Sequence, residues 1–263
     1  MKIHALQTGT VRVKHSFLFP SAGLRRQLDL FLPDDWSDPL PIYCWAIEHE
    51  DVLRLVDSGE TAAAGNVPFA RMEVTREQEL PAAMAAAGLR LEEVSEVVLT
   101  HAHGDHIDGL VHLRARVIAH EEELRYLAAA FPRVMRRVLR QPLPPGFAPG
   151  PFALDAGPFG AFARSRPLSA DRRIVAVGTP GHTPGHVSVI CIDDAGRHVL
   201  LAGDATDTLE QLQALRADAI APDQNVHVAT LETITAHCAQ HPTVYLPSHD
   251  PESAARLAGA VTV

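Results

Sequence analysis

The sequence predicts a layered α/β fold. Strand-like apolar runs alternate with helical stretches along all 263 residues, which is the pattern of stacked sheet and helix layers. Five of the apolar runs end in a polar residue able to do chemistry, and layered α/β folds build their sites at strand carboxyl ends. A chain of this length buries about 75% of its unfolded surface. With 46% hydrophobic residues and no long linker, it reads as one domain over 1–263.

Strand-like segments lie near 3–13, 42–57, 97–100, 115–119, 173–178, 186–192, 197–202 and 243–246. Helical stretches lie near 75–87, 121–140, 208–217, 228–240 and 251–259. The run Val52-Leu53-Arg54-Leu55-Val56 ends in Asp57, and Val97-Val98-Leu99 opens onto Thr100 and His101. Ile174 to Val177 enters the Gly/Pro turn that carries His182. The run from His198 to Gly203 ends at Asp204, and Val244 to Ser248 ends at His249. No internal repeat of fixed period is present.

Two segments exceed what alternation requires. Residues 14–41 intersperse Phe17, Leu18, Phe19, Leu24, Phe31, Leu32 and Trp36 with four prolines. They read as an irregular segment that either folds over the site or packs on a sheet edge. After the 121–140 helix comes the Pro/Gly/Phe-rich run 141–152, where proline at that density ends a helix. This insert, about 121–165, is read as a substrate-facing lid or a homodimer contact. Phe147, Phe152, Phe159 and Phe162 then line an apolar pocket, or else anchor the loop.

The block Thr100-His101-Ala102-His103-Gly104-Asp105-His106 is the most informative stretch. Imidazole and carboxylate suit zinc and neighbouring first-row metals. In an extended chain His101 and His103 point the same way and share one ion. Gly104 lets the chain turn, aiming Asp105 and His106 at a second position. Four ligands do not fill two coordination spheres, so His182, Asp204 and His249 are the expected partners.

With these motifs in order (LVDSG at Asp57, HxHxDH at 101–106, GH at His182, GD at Asp204, SHD at His249), the chain resembles the metallo-β-lactamase-fold hydrolases. The resemblance implies an αβ/βα sandwich, two central mixed sheets with helices outside. It implies one metal on His101, His103 and His182, another on Asp105, His106 and His249, and Asp204 bridging both. Asp57 then orients a ligand histidine, and His186 is a structural or orienting histidine rather than a ligand. The remaining nine histidines, from His4 to His241, lack a supporting motif and are read as surface or satisfied groups.

The spacing from His182 to Asp204 and the closing HD pair are similar to the N-acyl homoserine lactonase, or quorum-quenching, branch. The function implied is lactone opening, or cleavage of a related carboxylic ester, by a hydroxide bridging two divalent metals, zinc first, with manganese, iron or cobalt as alternatives. Asp105 and Asp204 are the catalytic candidates, Asp105 carrying a proton to the leaving oxygen. One departure concerns substrate. The lactonases carry a tyrosine three residues after the bridging aspartate, and Asp207 stands there. Tyr126 of the insert is the candidate substitute, and Phe147, Phe152, Asp207 and Tyr126 are the candidate substrate pocket.

Other readings within the fold are a glyoxalase II-type thioesterase and a mononuclear-iron persulfide dioxygenase. The former carries a helical extension, against 14 residues after His249 (263 − 249 = 14). The latter does not need the second ligand set. A net charge of −9 disfavours nucleic acid, and no apolar run approaches the ~20 residues of a membrane span. The N-terminus lacks a signal-peptide pattern. Cys44, Cys191 and Cys238 are odd in number and read as reduced thiols, so a cytoplasmic enzyme acting on a small molecule is expected.

Overall fold

The computed structural model describes residues 1–23 and 25–263, so Leu24 lies outside the described residues. The chain runs through β1 (Lys2–Val13), α1 (His15–Leu18), α2 (Arg25–Asp29), β2 (Leu40–His49), β3 (Val52–Val56) and β4 (Ala70–Glu73). It continues through α3 (Leu80–Ala86), β5 (Val94–Leu99), α4 (Gly104–Ile107), β6 (Arg116–His120), α5 (Glu121–Ala128), α6 (Ala130–Val138) and β7 (Gly150–Phe152). The last third forms β8 (Ser165–Pro167), β9 (Ile174–Gly178), β10 (Val187–Ile192), β11 (His198–Gly203), α7 (Leu209–Gln213), α8 (Gln224–Gln240), β12 (Thr243–Pro247) and α9 (Ser253–Gly259). Two mixed sheets with helices result, consistent with the expected fold class. They belong to two compact units, one of 1–12 and 38–152, the other of 13–37 and 153–263.

The first unit holds a seven-stranded sheet ordered β4-β1-β2-β3-β5-β6-β7. Strands β3, β5, β6 and β7 are parallel neighbours, so β5 is covered on both sides and its sequence ends in a continuous buried run. With Val56 opposite Val98, the carboxyl ends of β3 and β5 are adjacent. Helix α3 lays Leu80 and Met84 on Leu6, Cys44, Leu55, Val97 and Leu99. Two expectations are corrected here. The single run 42–57 is a hairpin, because Glu50 and Asp51 both take left-handed φ (52° and 57°), the geometry of a two-residue turn. The 121–140 helix is two helices, broken at Ala129, whose ψ of 155° is extended. Pro132 thereby falls in the first turn of α6, where its missing N–H costs no helical bond.

The second unit holds a five-stranded sheet ordered β12-β11-β10-β9-β8. Strands β11 and β12 are parallel, while β9 and β11 each run antiparallel to β10 between them. The carboxyl ends of β9, β11 and β12 therefore share one edge. Helix α8 packs Leu231 and Ile234 on Val175, Val177, Ile190, Leu200 and Tyr245. Within the segment 14–41, expected to be irregular, the described residues include two short helices, α1 and α2, tied to α7 and the loop after it. Gln211 Nε2 donates to Leu18 O (3.3 Å), Arg26 Nη2 to Ala221 O (3.0 Å), and the Arg216 guanidinium lies 4.4 Å over the Phe19 ring.

Of the insert aromatics, Phe147 packs on the first unit's core and Phe152 is buried in β7 beside His120. Phe162, 1% exposed, fills the second unit's core, with Phe159 against it. The cysteines are thiols outside any disulfide, Cys44 and Cys191 fully buried. No helix among the described residues is long and apolar enough to cross a membrane.

Candidate metal centre

In the first unit the donor block leaves β5 at Leu99 and turns into α4. His101 and His106 are buried, as is Asp105. His101 Nε2 stands 3.0 Å from His103 Nδ1, against the ~3.3 Å that separates two imidazole nitrogens on one tetrahedral ion. His106 Nε2 lies 3.8 Å from Asp105 Oδ2. These nitrogens and oxygens, borne on a strand end and one helical turn, are the donor chemistry a zinc-class ion requires.

Asp57 organises this block. The parallel pairing of β3 with β5 brings its carboxylate to Thr100, where Oδ1 accepts from the backbone N and Oδ2 from Oγ1, each at 2.8 Å. Asp57 Oδ2 is also 2.8 Å from His106 Nδ1. A proton on Nδ1 satisfies that carboxylate and leaves the Nε2 lone pair for a metal. Because the Thr100 hydroxyl gives its hydrogen to Asp57, it accepts from His101 Nδ1 at 3.1 Å, which leaves His101 Nε2 in the same state. Ser58 closes the loop by donating both N and Oγ to His106 O (2.8 and 2.9 Å). Gly109 permits this contact, since a Cβ there would meet Ser58 O at 2.0 Å.

In the second unit the shared strand edge assembles His182, Asp204 and His249, all buried. Asp204 presents Oδ2 at 3.5 Å from His182 Nε2 and Oδ1 at 3.4 Å from His249 Nε2. Each carboxylate oxygen thus faces a different histidine. His186 is placed beneath Asp204, with Nε2 accepting from the Asp204 backbone N at 3.1 Å and Nδ1 at 2.8 Å from Thr179 Oγ1. Asp250, after His249, accepts from Leu209 N and Arg256 Nη2, so it pins the loop rather than facing the donors.

Asp207 is buried, and one ligand atom each from Asp204, Asp207 and His249 lie within 4.8 Å of one another. Burial foremost, with the charges of Asp204 and Asp218, pushes the Asp207 carboxyl up to about 6 despite His249 and His182. Its backbone N donates to Gln211 Oε1 at 2.7 Å, part of the capping box at the start of α7. Tyr126 sits on α5, its phenol pushed up by burial and by Glu123.

Sequence reasoning missed Asp218. It lies in the loop after α7, with no motif around it, and its Oδ2 is 2.6 Å from His182 Nδ1. Burial opposes charge on His182, yet Asp218 beside it holds the imidazolium up to about 9 in the metal-free chain. The same pairing holds Asp218, against its own burial, down at about 2. His227, read as a satisfied group, supports the pair, its Nδ1 accepting from the Asp218 backbone N at 3.4 Å and its Nε2 meeting Ala205 O at 2.8 Å.

The model of the metallo-beta-lactamase superfamily matches residues 37–249. A probable metallo-hydrolase of Mycobacterium tuberculosis is 35% identical over 176 residues, 60% of this chain and 54% of the relative. A hydroxyacylglutathione hydrolase of Acidiphilium cryptum is 31% identical over 153 residues, 58% of this chain and 46% of the relative. The chain spans about half the length of these curated relatives. Among solved structures, an N-acyl homoserine lactone hydrolase with N-hexanoyl-L-homoserine at its catalytic metal centre superposes with a TM-score of 0.72 at 19% identity. That likeness covers 95% of this chain and 94% of the other, and it is one of fold.

Proposed function

This chain belongs to the metallo-beta-lactamase superfamily, and from that premise we propose that it is a dinuclear metal-dependent hydrolase opening a lactone or cleaving a related carboxylic ester. The observation that carries the reading is Asp204, whose two oxygens face His182 and His249 at 3.5 and 3.4 Å, so that one carboxylate would be within reach of both ions. His101, His103 and His182 are assigned to one ion. Asp105, His106 and His249 are assigned to the other. Zinc suits this N/O set, as do manganese, iron and cobalt.

Divalent ions held there supply an activated water as nucleophile and polarise the scissile carbonyl. Asp57 and Asp218 hold the His106 and His182 rings in the tautomer that offers Nε2, and His186 fixes the Asp204 backbone. Asp105 carries the proton to the departing oxygen. Asp207, in place of the lactonase tyrosine, and Tyr126 are assigned to substrate contact. The lactone choice draws on the lactone hydrolase of the same fold.

A thioester reading has its own support in the hydroxyacylglutathione hydrolase relative. Metal content per chain, measured beside rates on lactone, thioester and phosphodiester substrates, separates the readings. The proposal expects two ions and metal-dependent ring opening. A chain with two ions that hydrolyses thioesters and no lactone overturns the substrate assignment.

A further inference from the structure

Ala102 lies between His101 and His103 and is 1% exposed. Its backbone N donates to Glu123 Oε1 at 3.1 Å, and its carbonyl accepts from Arg136 Nη1 at 2.9 Å. Glu123 sits in the first turn of α5 and is itself 1% exposed, and Arg136 comes from α6. The guanidinium also reaches Pro142 O at 3.3 Å, joining the Pro-rich run to the same grip.

The consequence is geometric. The N–H of Ala102 belongs to the peptide plane shared with His101, and its C=O to the plane shared with His103. Past the end of β5 neither plane has a sheet partner, so each needs another hydrogen bond. Two side chains of opposite charge therefore fix the two planes that set where the neighbouring histidines point. Charge-assisted bonds of this kind are roughly twice as strong as neutral ones.

We propose that Glu123 and Arg136 are positioning residues for the donor block, and that the helical insert sets the spacing of His101 and His103. The inference rests on the reading of those histidines as metal ligands. Neither residue belongs to the donor set assigned above; each acts through the backbone of Ala102.

The test uses the full chain stripped of metal and titrated with Zn2+ against a chromophoric chelator, with the visible spectrum of the Co2+-loaded protein as a second readout. E123Q keeps an acceptor oxygen and loses the charge, whereas E123D keeps the charge and withdraws it by one methylene. E123D should bind Zn2+ about 10- to 100-fold more weakly, the range for residues supporting metal ligands, with a shifted Co2+ spectrum. E123Q should stay within about threefold of the parent, because its acceptor replaces the bond to Ala102 N–H. R136K, which keeps the charge and loses the fork, should weaken binding as E123D does, and it carries the test if E123D does not fold. Parent-like affinity in the folded E123D or R136K overturns the proposal, as does E123Q failing as badly as E123D. A parent chain that binds two metals and opens no lactone removes the substrate reading alone, and one that binds no metal overturns both.

Discussion

Asp57 Oδ2 stands 2.8 Å from His106 Nδ1, although 49 residues of sequence separate them. The pairing exists because β3 and β5 are parallel neighbours whose carboxyl ends lie side by side. Asp57 takes a left-handed φ of 63°, a conformation uncommon outside glycine, asparagine and aspartate. Three hydrogen bonds to one carboxylate hold it there.

Replacing Asp57 with Ala removes the acceptor of the buried Thr100 N–H as well as the partner of His106. Stability should fall by about 1–3 kcal/mol in denaturant unfolding of the metal-free protein. Zn2+ affinity should drop about 10- to 100-fold in chelator competition. Unchanged affinity would refute the orienting role.

His182 and Asp218 repeat the device in the second unit at 2.6 Å. In Asp218→Asn the carboxylate charge that holds His182 up at about 9 is gone, so burial dominates and the imidazole should titrate lower. NMR of the His182 ring in the metal-free chain reads this directly. An unmoved titration would mean that Asp218 is not the cause.

Asp204→Asn should disturb both metals together, because each carboxylate oxygen faces a different histidine. Metal analysis should show fewer than two ions per chain, and hydrolysis should fall by at least about 100-fold, the scale of losing a directly acting charged group. Hydrolysis at the parent rate would end the bridging assignment.

Metal should also stabilise the fold, since only folding brings the donors together. With free Zn2+ at 100 times its dissociation constant, unfolding should cost about 2.7 kcal/mol more, seen as a rise in Tm that a chelator reverses. A Tm indifferent to both would argue against an assembled site.

A pH effect of separate origin is expected from His237. Burial first, then the neighbouring His198 and His241, lowers its pKa from 6.5 to about 4. His237 is 0% exposed and its Nε2 lies 2.9 Å from His198 Nδ1. The unfolded chain binds this proton more readily than the folded one, so stability is full above about 6.5 and is lost as pH falls toward 4. The loss should reach roughly 3 kcal/mol in denaturant titrations. His237→Gln should flatten that dependence; an equally steep slope in the variant would rule His237 out as its source.

Local sequence pattern specifies the short-range part of the fold. Alternating apolar runs specify strands and helices, and a polar residue just past a strand end needs only short-range pattern, which is why the positions of Asp57, the 101–106 block, His182, Asp204 and His249 after β3, β5, β9, β11 and β12 were legible. Local pattern failed where a break was carried by ordinary residues, at Glu50-Asp51 and at Ala129, because backbone conformation there answers to hairpin and helix packing. Which residues hold the donors depends on long-range packing. Asp218 reaches His182 across 36 residues, Glu123 reaches Ala102 across 21, and Arg136 across 34. None of the three sits in a motif. A hydrogen bond fixes distance and direction in space and leaves sequence separation open, so partners of that kind become visible only once strand order and register have brought them together.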